Sequence, residues 1–379
     1  MEAIGIGLIG TGLMGKAHAF AYRTVKTFFG DVPASRLAVL CDQPLDKARL
    51  MADQFGFSKA TDDWRALIDD PAVDIVCITT PNKLHSEIAL AALAAGKHVH
   101  CEKPMALTLE DATTMAEAAR TFGGKTIVGY NYIANPAFQH ARKLIADGVI
   151  GRPVHFRGFV DEDYQADPET PWNWRATKGD AGLGALGDIG CHLVSMMTGL
   201  MGPVARITGD IDIIHKTRPL VDGSGHKPVE NEDVASALVR FESGISGVIS
   251  SSRSAWGRKN YLAFEVHATH GMIRFDQERL NELQIFVNTG DSARDGFTTV
   301  LTGPAHEPYG ALCPAQGHQL GFNELKTIEV HGFLKAIAEG GRAFPDFDHA
   351  LEFERVVHAI ARSAETGKSV FLKPALPES

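Results

Sequence analysis

Four clusters of glycine or polar residues, three of them directly after short apolar runs, carry the chemistry this chain can offer. Gly10-Thr11-Gly12-Leu13-Met14-Gly15 matches G-x-G-x-x-G, placed after the apolar run Ala3 to Ile9 and before a helical pattern from Lys16 to Phe28. Glycines there permit a tight turn and close backbone approach, so that a dinucleotide pyrophosphate can rest on the helix N-terminus. Asp42 follows the next apolar run, Arg36 to Cys41. A carboxylate at that place accepts hydrogen bonds from an adenosine ribose and repels a 2'-phosphate, which favours NAD over NADP; a plain surface aspartate is the alternative. The spacing exceeds the usual ~20 residues, and the stretch Gly30 to Ser35 accounts for the excess.

Two more strand-like runs end in Thr79-Thr80-Pro81-Asn82-Lys83-Leu84-His85 and in Glu102-Lys103-Pro104. Ligands of open α/β sheets bind at such carboxyl ends. A lysine held there can orient a substrate hydroxyl and tune its proton transfer, and the proline after Lys103 restricts its backbone and admits a cis bond. A structural ion pair of Glu102 and Lys103 is the alternative. The last cluster is Gly187-Asp188-Ile189-Gly190-Cys191-His192, where Asp188 and His192 stand four apart on one helix face. Histidine can act as acid or base near neutral pH, with the aspartate fixing the substrate or the ring. An N-cap aspartate with a core histidine is the plainer reading. No third His or Cys has a matching spacing, so no metal is expected.

The elements that must position these groups follow from periodicity. Buried strands at Ala3–Ile9, Arg36–Cys41, Val73–Thr79, Val99–Cys101 and Thr126–Tyr130 alternate with helices at residues 16–28, 45–55, 63–68, 86–95 and 109–121. This β-α alternation predicts a doubly wound parallel sheet, a Rossmann domain taken as residues 1–125. Beyond it, strands at residues 154–160, 234–241, 245–252, 262–268, 272–276 and 283–287 follow one another without intervening helices. That pattern predicts an α+β domain over 126–379 with a large, mainly antiparallel sheet, joined by helices at 186–200, 329–339 and 349–365. Residues 161–184 and 290–323 read as long irregular segments of the kind that serve function or an oligomer contact.

Composition narrows the class. A chain of 379 residues is long enough for two cores. Hydrophobic residues at 44% and charged residues at 22% are ordinary globular usage, and no apolar run reaches the ~20 residues of a membrane span. A net charge of -9 disfavours nucleic acid as a partner. The five scattered cysteines, Cys41, Cys77, Cys101, Cys191 and Cys313, read as structural thiols. With an N-terminus lacking a basic leader, they make the cytoplasm the expected compartment.

Taken in order, the glycine motif, T-P-N-x-x-H, E-K-P and G-D-I-G-x-H resemble the family of glucose-fructose oxidoreductase and inositol dehydrogenase over essentially the whole chain. Trp172-Asn173-Trp174-Arg175 and Thr302-Gly303-Pro304-Ala305-His306 look most like its branch of scyllo-inositol, L-glucose and levoglucosan dehydrogenases. The resemblance implies an NAD-dependent enzyme that transfers a hydride between the nicotinamide and a secondary hydroxyl or ketone of a sugar or cyclic polyol. It makes Lys103, Asp188 and His192 the catalytic group, in a cleft between the two domains, with Glu102 near the nicotinamide ribose. Thr79, Pro81, Asn82 and His85 would line the cofactor, Trp174 and Arg175 would lie beside nicotinamide and substrate, and Asn131 would lie near the substrate. Trp172 and Trp174 could cover an apolar sugar face, and His306 and His318 could reach a neighbouring subunit's site. A dimer or tetramer built on the open sheet face is expected. Two other activities stay open on the same residues: an NAD-retaining glycosidase that works by transient oxidation and elimination, and a non-catalytic sugar or cofactor sensor.

Overall fold

The computed structural model describes residues 3–372. In chain order they form β1 (Ile4–Ile9), α1 (Leu13–Phe28), β2 (Ser35–Cys41), α2 (Leu45–Phe55), β3 (Lys59–Thr61), α3 (Trp64–Asp69), β4 (Ile75–Ile78), α4 (His85–Ala94), β5 (His98–Cys101), α5 (Leu109–Thr121) and β6 (Thr126–Val128). There follow α6 (Pro136–Ala146), β7 (Pro153–Asp161), α7 (Lys178–Ala181), α8 (Cys191–Met201), β8 (Val204–Asp212), β9 (Thr217–Pro219), β10 (His226–Pro228), β11 (Val234–Phe241) and β12 (Ser246–Ser252). The chain continues through β13 (Tyr261–Ala268), β14 (Gly271–Asp276), β15 (Glu282–Val287), β16 (Thr298–Leu301), α9 (Tyr309–Leu312), α10 (Phe322–Glu339), α11 (Phe347–Thr366) and β17 (Val370–Phe371).

The chain divides into two compact units, one of Met1–Ala134 with Gly321–Leu351 and one of Asn135–Leu320 with Glu352–Ser379. The boundary anticipated at 125/126 moves for two physical reasons. β6 hydrogen-bonds to β5 as the last strand of the parallel sheet, so the cut falls after it. α10 packs along α1, returning a late segment to the first unit.

The first unit is a six-stranded parallel sheet in the order β3-β2-β1-β4-β5-β6. All four residues of β4, Ile-Val-Cys-Ile, are buried, as a strand covered on both faces requires. Its order reverses between β1 and β4, and the chain ends of those strands carry the glycine loop and Thr79.

The second unit holds a nine-stranded sheet, β16-β15-β14-β13-β7-β12-β11-β8-β17, antiparallel except where β7 meets β12. β11 alternates buried and exposed along its length, burying Ala235, Ala237, Val239 and Phe241, so one sheet face is covered and the other open. α8 is buried nearly all round and packs against β7 and α6. The stretch Lys178–Met201 is long and apolar enough to cross a membrane by composition, but 78% of its most apolar window lies inside the protein, where it forms the core of this unit. A two-stranded hairpin, β9 with β10, stands apart from the large sheet.

Candidate active site

The glycine loop has the geometry a dinucleotide needs. Gly10 has φ of 99°, a left-handed conformation open to glycine. A Cβ on Gly15 would meet the Gly10 carbonyl oxygen at 2.3 Å, so the helix can approach the loop this closely only with glycine there. At Gly12 an added Cβ would meet nothing within 4 Å, and Leu13 beside it is 75% exposed. Gly12 caps α1 without any side-chain hydrogen bond, leaving first-turn N–H groups and the positive end of the helix for an anion. Met14 is half-buried behind them.

Asp42 lies at the end of β2, beside this loop. Its Oδ2 accepts from the Thr11 backbone N–H at 3.0 Å and from the Thr11 hydroxyl, and pairs with Lys47 at 2.8 Å; Oδ1 accepts from Gln43 N–H at 2.7 Å. Burial opposes the charge, but Lys47, Thr11 and Gln43 outweigh it and hold the carboxyl below its ordinary value. These residues fit the pyrophosphate and adenosine ribose of NAD: an uncapped helix start for one, an ionised carboxylate for the other.

Other predicted residues of this unit find more specific places. Thr79 donates its hydroxyl to the Ile9 and Gly10 carbonyls at 3.0 Å, tying β4 to the glycine loop. Pro81 is exposed and Asn82 half-buried in the turn that starts α4. His85 is fully buried, with its ring nitrogens 2.9 Å from the Pro104 carbonyl and 3.1 Å from that of Thr80. It ties the loops after β4 and β5 together. Burial lowers its pKa, with the two carbonyls pulling the other way.

Glu102 follows β5 directly and is held by partners of its own. It is buried, and its Oε1 accepts from His18 Nε2 at 2.7 Å and from Lys326 Nζ at 2.8 Å. Its Oε2 accepts from the backbone N–H of Lys103 at 3.2 Å. Lys103 is half-buried at the end of the strand, before a cis peptide to Pro104. Glu102 is thus a partner of Lys326 and of the Lys103 backbone N–H. Asn131, at the last turn before α6, is buried, and its amide nitrogen has no hydrogen-bond partner among the described residues.

In the second unit, residues 186–190 form a single π turn leading into α8, a wider turn of the kind that recurs at functional sites. Asp188 lies on it and His192 one turn on, in α8. Asp188 is no N-cap: its Oδ2 accepts from the Tyr164 hydroxyl at 2.9 Å and pairs with Arg175 Nε at 3.3 Å. Arg175 stacks over the Trp174 ring at 4.5 Å. Burial and the neighbouring Asp188 raise the Tyr164 pKa well above 10, so the phenol stays a donor. Behind this group, Arg253 makes a buried 2.7 Å pair with Asp233 and grips Asn231, whose amide donates to the Arg175 carbonyl at 2.9 Å. Glu232 accepts from the Leu186 N–H at 3.0 Å and fixes the start of the π turn.

Trp172, a candidate sugar platform, donates its Nε1–H to the Pro228 carbonyl at 3.1 Å, and Lys227 lies 4.6 Å over its ring. His306 stacks edge-on against His140 and His318 is exposed. Tyr164, Asn231, Asp233 and Arg253 were missed by sequence reasoning; Tyr164 lies in an aperiodic segment, and only the length of that segment marked it.

The model of the oxidoreductase family with an NAD-binding Rossmann fold (GFO/IDH/MocA) matches residues 4–130, and the GFO/IDH/MocA C-terminal domain matches 138–274. The chain is 42% identical over 378 residues to levoglucosan dehydrogenase of Pseudarthrobacter phenanthrenivorans, covering 96% of this chain and 97% of that one. It is 30% identical to myo-inositol 2-dehydrogenase of Thermotoga maritima, over 76% of this chain and 79% of that one. A solved structure of levoglucosan dehydrogenase in complex with NADH and L-sorbose superposes with a TM-score of 0.96 at 41% identity, covering 98% of this chain and 100% of that one. The chain belongs to the GFO/IDH/MocA family and is an NAD-binding oxidoreductase.

Proposed function

We propose that this oxidoreductase is a dehydrogenase for a secondary hydroxyl on a sugar or cyclic polyol, with an anhydrohexose such as levoglucosan heading the candidates. The observation that carries the reading is the orientation of Asp188 by Tyr164 and Arg175 on a turn that also leads to His192, in a chain 42% identical to a levoglucosan dehydrogenase. Bound NAD supplies the hydride acceptor. The protein's part is position and proton transfer. In the proposal Lys103 and His192 hydrogen-bond the reacting hydroxyl, and one of them takes its proton. Asp188, oriented by Tyr164 and Arg175, binds ring hydroxyls, each of which needs a partner once water is excluded. Arg175 limits the rotation of that carboxylate.

The test is NADH formation by the purified protein over inositols, D- and L-hexoses, anhydrosugars and glycosides, with NAD and with NADP. Steady NADH production on an anhydrosugar or polyol supports the proposal. Turnover of a glycoside without net NADH would replace it with a glycosidase, and tight NAD binding without turnover would replace it with a sensor.

The open face of the nine-stranded sheet exposes Leu238 and Val248, directly paired across β11 and β12. We propose that a second copy covers this face, giving a dimer or tetramer of the chain. Leu238→Asp should then lower the mass measured by light scattering, and an unchanged mass would remove the proposal. All five cysteines are free, four of them buried, which supports a reducing compartment such as the cytoplasm.

A further inference from the structure

Beneath the strand end that carries Lys103 lies a buried polar chain that the function above does not use. Lys326, on α10, is fully buried and donates to Glu102 Oε1 at 2.8 Å and to Glu329 Oε1 at 2.7 Å. Each carboxylate also meets a histidine: Glu102 meets His18 Nε2 at 2.7 Å and Glu329 meets His100 Nε2 at 3.0 Å. Ionised carboxylates only accept, so both histidines carry their proton on Nε2. Their Nδ1 atoms are then acceptors, matched by the Cys77 thiol at 3.0 Å from His18 and the Tyr22 hydroxyl at 2.9 Å from His100. Two mirror-like arms, thiol to imidazole to carboxylate and phenol to imidazole to carboxylate, converge on one ammonium.

This donor order closes without a metal. His18, Cys77 and His100 offer ligand atoms within 4.8 Å of one another, but all four ring nitrogens are already engaged. The electrostatics agree. Burial opposes the charge on Lys326, yet Glu102 and Glu329 hold its pKa above the ordinary lysine range. Burial likewise opposes ionisation of both glutamates, and Lys326 with the histidines brings them below theirs.

The chain meets the candidate site through Glu102 Oε2, which accepts the Lys103 backbone N–H. Gly129 closes over the same carboxylate, since a Cβ there would lie 2.6 Å from Oε1. We propose that Lys326 is a positioning residue for the dehydrogenase reaction: by fixing the Glu102 carboxylate it fixes the peptide of Lys103, and with it the base of the side chain proposed to bind the reacting hydroxyl. This rests on the role proposed for Lys103. A misplacement of about 1 Å at a reacting group can cost on the order of a hundredfold in rate, so a buried lysine remote from the substrate can control turnover.

The experiment compares Lys326→Met with Tyr22→Phe, which breaks only the outer end of the other arm. Hydrogen exchange of the peptide spanning residues 101–105 should accelerate in Lys326→Met and stay as in the wild type in Tyr22→Phe. With a sugar substrate in hand, kcat of Lys326→Met should fall about tenfold or more while KM and the NADH dissociation constant change less than about twofold. Tyr22→Phe should lose thermal stability and keep kcat. If Lys326→Met does not fold, Lys326→Met with Glu329→Gln removes one cation and one carboxylate together and is read in the same way. Unchanged exchange at 101–105 in a folded variant overturns the proposal, as does a kcat loss that tracks melting temperature equally in both arms. The exchange result stands whether or not a substrate is found; a wild type silent on every sugar would sink the proposed function alone.

Discussion

Asp188 shows how much one residue's role depends on what holds it. Tyr164 and Arg175 both meet its Oδ2, and Tyr164, kept protonated by burial and by Asp188 itself, is the closer. Tyr164→Phe removes one hydrogen bond to a charged group, worth ~1.5–3 kcal/mol. It should lower kcat/KM with the sugar by about tenfold or more and leave the NADH dissociation constant unchanged, as steady-state kinetics beside a fluorescence titration would reveal. A parallel loss of NADH affinity would mean that Tyr164 serves the fold of its loop. Asp42→Ala is a second residue-scale case. Removing this carboxylate frees Lys47, its 2.8 Å partner, to meet a 2'-phosphate, so the ratio of kcat/KM for NADP to that for NAD should rise. A ratio that stays flat would assign the NAD preference to another residue.

Legibility at this scale followed chemistry that repeats. The glycines, Asp42, Lys103, Asp188 and His192 stand in short motifs at strand or helix ends, where spacing is informative. Tyr164 has no such frame. Lys326 and Glu329 were invisible for a different reason: an i,i+3 pair of opposite charges on a helix has the pattern of a solvated face, and here it lies in the core.

At the scale of elements, the glycine loop separates two requirements that the motif merges. Gly15→Ala pushes a methyl into the Gly10 carbonyl at 2.3 Å, so the junction of loop and helix must open. Gly12→Ala meets no protein atom within 4 Å. Gly15→Ala should therefore lower the melting temperature and NADH affinity together, whereas Gly12→Ala should keep the melting temperature within a few degrees and still weaken NADH. Calorimetry and titration on the two variants decide it; a Gly12→Ala protein with full NADH affinity would show that nothing approaches the loop there.

Among the elements, the buried parallel strands were readable because continuous apolar runs allow few other structures. β3, only Lys-Ala-Thr, has no pattern to read. β8 covers its sheet position with Val-Ala-Arg-Ile-Thr-Gly-Asp-Ile-Asp, whose polar residues and central glycine hide it; Gly209 is required because a Cβ would lie 2.6 Å from the Ile360 carbonyl. α6 was legible in principle, since Asn135 caps it through the Ala137 N–H with Pro136 in its first turn. α10 begins at Phe322, seven residues before the helix anticipated from periodicity, and those residues include Lys326.

For the whole molecule, the buried chain in the first unit sets a pH dependence. Burial, ahead of the neighbouring Lys326 charge, lowers the His18 pKa from 6.5 to about 4. The unfolded chain therefore binds a proton near pH 6.5 that the folded protein refuses until about pH 4. Stability from this group is full above pH 6.5 and declines between those values, by on the order of 3 kcal/mol. Urea unfolding from pH 7.5 to 4 should show that decline, and His18→Gln should flatten it. An equal slope in the variant would move the effect to other groups.

The return of α10 also orders the making of the protein. Glu102 and His18 are synthesised early, but the ammonium that both carboxylate arms require arrives more than two hundred residues later, after most of the second unit. The nucleotide-binding half, first to leave the ribosome, is completed only after residues 135–320 of the second unit have been made, and until then the end of β5 carries a carboxylate waiting for a cation.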